Sequence, residues 1–320
     1  PYYGSESDPT VNPTAFHARI QEAHDRGLSY VSHLPMHPDV TNNTSGFIRD
    51  NSMAAIRETD LRAHVRSVLD GTLNDPLANT TVSAWYIQPD ELRPWRDAEM
   101  DYLNIVATEV KGYDPQDRPV TMYNPNHRKS SELETVTNQG LDWTMMGVYA
   151  TSEPFDSRGP RIADGVERIV AAAESVGSVA VPVYELSQDY SVTEIAALAG
   201  ALGGVSEAEA IKHVVRHDVY QGLVRGARGI QIWSGCDCRV GLTTYAEQLE
   251  GYLSVARDLN GDPGLADVFL GGRRLSDPSI DVLSGPATLT YDSMTYDSVA
   301  SSLIVSGDSP HLFLVNSANN

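Results

Sequence analysis

The sequence predicts an α/β fold built on a parallel β-sheet, of the β/α-barrel type. Short apolar segments rich in β-branched residues alternate with helical stretches along most of the chain. Several of these segments are nearly continuous apolar runs, as expected of parallel strands buried on both faces. Each is followed by a polar loop that carries Asp, Asn, Ser or Glu, which is where a β/α barrel places its chemistry.

Five stretches have the three- and four-residue apolar spacing of amphipathic helices. The first begins at Pro13, and another is followed by Gly177, which is typical of a helix C-cap. A third opens with Ser206 and Glu209, the spacing of a capping box. The predicted helices are residues 13–26, 59–70, 96–111, 161–176 and 206–226.

Between the helices lie the predicted strands, and Pro1–Gly4 is predicted to be the end of one more. Pro182 lies inside a presumed central strand and counts against that assignment, because proline cannot donate a hydrogen bond to a neighbouring strand. The six strands are residues 28–35, 81–89, 118–123, 142–149, 178–186 and 228–234.

After about residue 272 the pattern changes to Thr, Tyr and Val between Asp, Ser and Gly turns, which is typical of antiparallel strands. This segment is too short to bury a core of its own. We therefore expect a catalytic barrel domain over residues 1–272 and a β-rich segment over 273–320, which either packs on the barrel or begins an accessory β domain.

The composition limits the possible partners. The 43 acidic and 23 basic residues give a net charge of −20, which disfavours nucleic acid. Only three residues are lysine, which fits either a protein that works in salt or a GC-rich host. No apolar run approaches the roughly 18–20 residues of a membrane span. Cys236 and Cys238 are expected to be partly buried thiols.

Carboxylates follow two of the predicted strands. The strand 81–89 leads into Asp90 and Glu91, and the strand 178–186 ends at Glu185. The spacing does not decide between Asp90 and Glu91, because Pro89 interrupts the alternation of the strand. Asp189 is the alternative to Glu185.

The order of these segments resembles the (β/α)8-barrel glycoside hydrolases of the large retaining clan. The segment 85–91, WYIQPDE, is similar to that clan's fourth-strand ending, with one additional residue before the acids. The segments 118–120 and 228–233 resemble its fifth and eighth strands. The resemblance implies that Glu91 is the general acid/base and Glu185 the nucleophile. It also implies that the first strand of the barrel has no counterpart. Either the barrel is incomplete at its N-terminus, or the region before residue 28 is rearranged, or the strand count is wrong by one.

Glycoside cleavage independently requires such a pair, since one carboxyl protonates the leaving oxygen while the other attacks carbon or activates water. Polar and aromatic side chains near the strand ends suit the hydroxyls and the apolar faces of sugars. The candidate substrate-binding residues are His33, Tyr123, Asn124, Asn126, Tyr149 and Trp233.

The sequence therefore predicts a secreted or cell-surface glycosidase that acts on a poly- or oligosaccharide. No cofactor is expected, because the chain has no phosphate loop, no dinucleotide fingerprint and no G-x-S-x-G motif. One alternative is a non-catalytic carbohydrate-binding or structural surface protein with a degenerate barrel site. Another is a metal-dependent barrel hydrolase that uses His33 or His37 near Asp39, although no third ligand at a recognisable spacing supports a metal.

Overall fold

The structure is a computed structural model. It describes residues 9–40, 52–150, 155–186, 192–233, 244–261, 264–275 and 278–317, and of residues 155–157 it describes the backbone alone. The interpretations of Pro1–Gly4, Asp189, Cys236 and Cys238 fall outside the described residues and stay predictions.

All six predicted strands are present and form one parallel sheet. Its strands follow one another in sequence order, from β1 to β6, as in a β/α barrel. Parallel registers join Val31 to Ala84, Trp85 to Val120, and Glu185 to Trp233. The strands are β1 (Tyr30–Leu34), β2 (Val82–Ile87), β3 (Val120–Met122), β4 (Trp143–Gly147), β5 (Val179–Glu185) and β6 (Gln231–Trp233). Pro182 lies within β5, so it does not exclude this strand from the sheet.

The described residues form ten α-helices, which include the five predicted ones. They are α1 (Pro13–Asp25), α2 (Glu58–Leu73), α3 (Pro76–Thr81), α4 (Asp97–Tyr113), α5 (Ser130–Thr137), α6 (Phe155–Val176), α7 (Val192–Ala201), α8 (Glu207–Val224), α9 (Tyr245–Asn260) and α10 (Leu265–Gly271). Among the described residues, none of the helices combines the length and the apolar character that a membrane span needs.

Local interactions explain where several helices begin and end. The side chains of Asn12 and Asp75 accept hydrogen bonds from backbone N–H groups in the first turns of α1 and α3. Ser206 accepts a hydrogen bond from the N–H of Glu209 at the start of α8, as the spacing predicts. Gly177 has a φ of 70° directly after α6, a conformation that glycine adopts without strain.

The predicted antiparallel segment is also confirmed. After β7 (Arg273–Arg274), the chain forms β8 (Thr288–Tyr291), β9 (Met294–Asp297), β10 (Val299–Ser306) and β11 (Ser309–Asn316). The strands β8 and β9 pair with each other, while a three-stranded sheet has the order β11-β10-β7. The proposed domain boundary near residue 272 stays a prediction.

The chain forms two compact units. Unit 1 comprises Pro1–Met145 and Ala172–Ser178, and unit 2 comprises Met146–Ala171 and Val179–Asn320. The core of unit 1 gathers the inward faces of β1, β2, α2 and α4. Trp85 is fully buried there and donates its indole N–H to a carboxylate oxygen of Asp114 at 2.7 Å. This tryptophan therefore belongs to the core.

A buried polar network joins three elements of unit 2. Arg158 in α6 donates two hydrogen bonds to Asp218 in α8, at 3.0 and 2.5 Å. The neighbouring His217 contacts Asp218 through Nδ1 at 3.1 Å and the hydroxyl of Ser317, just after β11, through Nε2 at 3.1 Å. Gln221 donates to the same hydroxyl at 2.8 Å. The network connects the antiparallel segment to the helices of unit 2.

Candidate active site

Glu91 lies in the loop between β2 and α4, where both its backbone N–H and its backbone carbonyl form hydrogen bonds. Its φ is 58°, in the left-handed region that non-glycine residues seldom adopt. Its N–H donates a hydrogen bond to the carbonyl of Tyr123 at 3.0 Å, and its own carbonyl accepts one from Arg128 at 3.3 Å. Residues in such conformations persist where surrounding contacts fix them, and they are concentrated at functional sites.

Arg128 reaches this loop from the segment that follows β3. It is only 2% exposed, and it donates a second hydrogen bond, to the carbonyl of Leu92, at 2.9 Å. Its guanidinium carbon lies 4.7 Å from the centre of the Trp95 ring, within the range of a cation–π contact. One buried cation thus holds three residues of the Glu91 loop.

The surroundings of Glu91 favour its protonated form. Partial burial raises the pKa of the Glu91 carboxyl, the negative charge of Asp90 raises it further, and the positive charge of Arg128 lowers it. The net effect is a pKa above the ordinary value for glutamate. A raised pKa is what a carboxyl needs to donate a proton near neutral pH.

Asp90, the alternative to Glu91, has a partner of its own. The hydroxyl of Tyr86 donates a hydrogen bond to the Asp90 carboxylate at 3.1 Å. The left-handed backbone of Glu91 and the raised pKa of its carboxyl make it the stronger candidate for the acid.

His33, in β1, contacts Tyr86 and Gln88, which lie shortly before Asp90 in the chain. Its ring stacks on that of Tyr86, with 4.8 Å between centroids and 22° between planes. The amide nitrogen of Gln88 lies 3.1 Å from His33 Nδ1, so that Nδ1 accepts the hydrogen bond. Burial lowers the pKa of His33 to about 4, and the ring is neutral at physiological pH.

The other candidates of unit 1 occupy the end of β3. Tyr123 and Asn126 are half-buried, and Tyr123 contacts Glu91 through its backbone carbonyl, as described above. Asn124 is fully buried and donates its side-chain amide to the carbonyl of Met145 at 3.0 Å. Its side-chain oxygen has no hydrogen-bond partner among the described residues.

In unit 2, three predicted residues come together. Glu185 is half-buried at the end of β5, directly opposite Trp233 in the register of β5 and β6. The ring of Tyr149 lies 6.3 Å from that of Trp233, at an angle of 30°. The hydroxyl of Tyr252 donates to the backbone carbonyl of Glu185 at 3.2 Å. Glu185 thus lies beside an aromatic pair that offers a surface for a sugar ring.

Arg128 and Tyr252 are two functional candidates that the sequence pattern did not indicate. Arg128 lies shortly after Asn124 and Asn126 in the same polar loop, so its position following β3 was the available signal. Tyr252 belongs to α9, a helix that the sequence analysis did not predict. Both residues contact backbone carbonyls of the proposed catalytic residues, and such contacts have no sequence motif.

The structure gives no support to the metal-dependent alternative. The rings of His37 and His64 meet edge to face at 5.3 Å, and His37 Nδ1 lies 3.8 Å from a carboxylate oxygen of Asp39. Within the ranges that the structure describes, no three His, Cys, Asp or Glu side chains come close enough to hold a metal ion.

Comparisons with known proteins identify the fold. No protein-family model matches the sequence, and no curated protein matches it. An endo-β-1,4-mannanase double mutant from Cellulomonas fimi matches over 95% of this chain and 80% of its own, with a TM-score of 0.50 and 13% identity. An endo-β-1,4-mannanase from Thermotoga petrophila matches over 94% and 81%, with a TM-score of 0.49 and 10% identity.

The β-glucuronidase of Ruminococcus gnavus is also similar, at a TM-score of 0.45 and 14% identity over 67% of this chain. The chain spans about a third of that enzyme's length, since 35% of it is covered. Identities this low show the fold alone. The match with the Cellulomonas fimi mannanase supports a β/α-barrel fold, as the sequence resemblance implies.

Proposed function

We propose that the protein is a retaining glycoside hydrolase that cleaves a poly- or oligosaccharide, with Glu91 as general acid/base and Glu185 as nucleophile. One topological observation carries the proposal. Glu91 follows β2, and Glu185 ends β5 of the same parallel sheet. The carboxyl ends of parallel strands lie at one edge of a sheet, which is where barrel enzymes carry their catalytic residues.

Glu91 has the properties of the acid. In the first step its proton passes to the glycosidic oxygen, the bond from that oxygen to the anomeric carbon breaks, and a carboxylate oxygen of Glu185 bonds to that carbon. In the second step Glu91, now ionised, takes a proton from water, whose oxygen replaces Glu185 at the anomeric carbon. The raised pKa of Glu91 suits the first step.

The half-buried aromatic pair beside Glu185 supports a carbohydrate substrate. Tyr149 and Trp233 present apolar ring surface next to a carboxylate, the combination that suits a sugar's C–H faces and its hydroxyls. The mannanase activity of the structural relatives makes β-1,4-mannan the first polysaccharide to test. Such a substrate is a large polymer, so we propose that the protein acts outside the cell or at its surface.

The proposal is tested with Glu91→Gln and Glu185→Gln on soluble β-1,4-mannan, β-1,4-galactan and carboxymethyl cellulose. We expect turnover by the wild type and a loss of at least about 10³-fold in kcat for either variant, because each removes a group that acts only in the transition state. Glu58→Gln, an exposed carboxylate on α2, is the matched control and should keep full activity. Normal activity of Glu185→Gln contradicts the proposal. Equal glycan binding by all variants without any turnover supports the non-catalytic alternative instead.

A further inference from the structure

Trp95 is the most exposed of the four tryptophans of the chain. It is 60% exposed, whereas Trp85 is fully buried and Trp143 and Trp233 are half-buried. It lies four residues after Glu91, in the same loop between β2 and α4. An indole in this environment leaves a large apolar surface available to a ligand.

One face of the Trp95 ring contacts a buried arginine. The guanidinium of Arg128, itself 2% exposed, lies 4.7 Å from the ring centre. The same guanidinium is hydrogen-bonded to the carbonyls of Glu91 and Leu92. A buried cation therefore fixes the ring relative to the backbone of Glu91, and an exposed aromatic surface that is already ordered loses little entropy on binding.

We propose that Trp95 is a stacking platform for a sugar residue on the leaving-group side of the scissile bond. This inference rests on the proposed function, in which Glu91 protonates the oxygen of the leaving group. Trp95 shares with Glu91 both the loop between β2 and α4 and the Arg128 guanidinium, so we place the indole on the side of the acid. The flat indole matches the C–H face of a pyranose. The substrate class is then a chain that continues as sugar beyond the cleaved bond, rather than the glycoside of a small alcohol.

The test compares a long substrate with one whose leaving group cannot reach Trp95. The long substrates are cellohexaose, mannohexaose and β-1,4-galactohexaose, and the short one is the glycosyl fluoride of the sugar that the wild type cleaves. We expect Trp95→Ala to lower kcat/KM on the hexaose about tenfold and to leave the fluoride within about twofold of the wild type. Trp95→Phe should recover most of the loss. Tyr113→Ala is the matched control, because Tyr113, at the end of α4, is also exposed, at 37%, and its ring contacts Arg66 of α2.

An equal loss on the hexaose and the fluoride would overturn the inference, since it would mean that Trp95 only supports Arg128 and Glu91. Unchanged kcat/KM on both would overturn it too. If the wild type cleaves none of these sugars, the proposed function fails separately, and calorimetric titration with the three hexaoses decides about Trp95. About tenfold weaker binding by Trp95→Ala than by the wild type then supports the platform. Equal binding, or the absence of binding by the wild type, contradicts it.

Discussion

Arg128 donates a hydrogen bond to the backbone carbonyl of Glu91, at 3.3 Å. The same buried guanidinium is bonded to the carbonyl of Leu92, and its charge opposes the rise in the pKa of Glu91. Arg128 is thus a positioning residue that acts on both the conformation and the protonation of the proposed acid. The left-handed φ of Glu91, 58°, is the conformation that it helps to maintain.

We predict that Arg128→Met lowers kcat about 10- to 100-fold, because the acid loses its fixed orientation. Removing the cation raises the pKa of Glu91 further, so the alkaline limb of the kcat/KM profile moves to higher pH. Loss of the hydrogen bonds to two carbonyls costs about 1–3 kcal/mol of folding free energy. Arg128→Lys, which keeps the charge, should restore the position of the limb. An unshifted limb in Arg128→Met contradicts this role.

Asp90→Asn should move the alkaline limb of the kcat/KM profile to lower pH, opposite to the effect of Arg128→Met. The negative charge of Asp90 raises the pKa of Glu91, so its removal lowers that pKa and deprotonates the acid at lower pH. The pH dependence of kcat/KM, measured beside Arg128→Met, checks the opposite signs. If Asp90→Asn abolishes turnover while Glu91→Gln does not, Asp90 is the acid and the assignment is wrong.

The lowered pKa of His33 makes the free energy of unfolding depend on pH. Its pKa of about 4 in the folded protein lies below the ordinary value of 6.5, so the unfolded chain binds more protons between these values. The contribution of neutral His33 to the free energy of unfolding is complete above pH 6.5. It is lost as the pH falls towards 4, and the loss is about 3 kcal/mol in total. Urea unfolding at pH 7 and pH 4.5 should show a smaller acid loss for His33→Gln than for the wild type. An identical loss in the two proteins would mean that His33 does not titrate in this way.

The pair of Arg158 and Asp218 should be needed for the stability of unit 2. The two side chains are 5% and 1% exposed, so Asp218→Asn leaves a buried guanidinium without its counter-charge. The expected cost is about 3–5 kcal/mol in urea unfolding. Glu250→Gln breaks the exposed ion pair with Arg257 and should have no measurable effect. Equal effects of the two substitutions would contradict the importance of burial.

The sequence predicted the sheet well, because its strands are short apolar runs and each is followed by a polar loop. It also placed Glu185 and Trp233 at the ends of two strands, and these two residues are opposite each other in the register of β5 and β6. It did not predict α9, whose buried residues include Gln248 and Gly251 beside Tyr252 and Val255.

The contacts that orient Glu91 were beyond sequence analysis for a different reason. The left-handed φ of Glu91 and its bond to Arg128 depend on how two loops, 37 residues apart in the chain, meet in space. No local pattern encodes such a contact.

Chemical rescue by azide tests the roles of the two carboxylates most directly. Glu91→Ala and Glu185→Ala are each assayed with sodium azide and the 2,4-dinitrophenyl glycoside of the sugar that the wild type cleaves. Azide should replace water in the second step of Glu91→Ala and give a glycosyl azide with the configuration of the substrate. In Glu185→Ala azide attacks the substrate itself, so the product should have the inverted configuration. Products of one configuration from both variants, or no rescue of either, would contradict the assignment of Glu91 as acid/base and Glu185 as nucleophile.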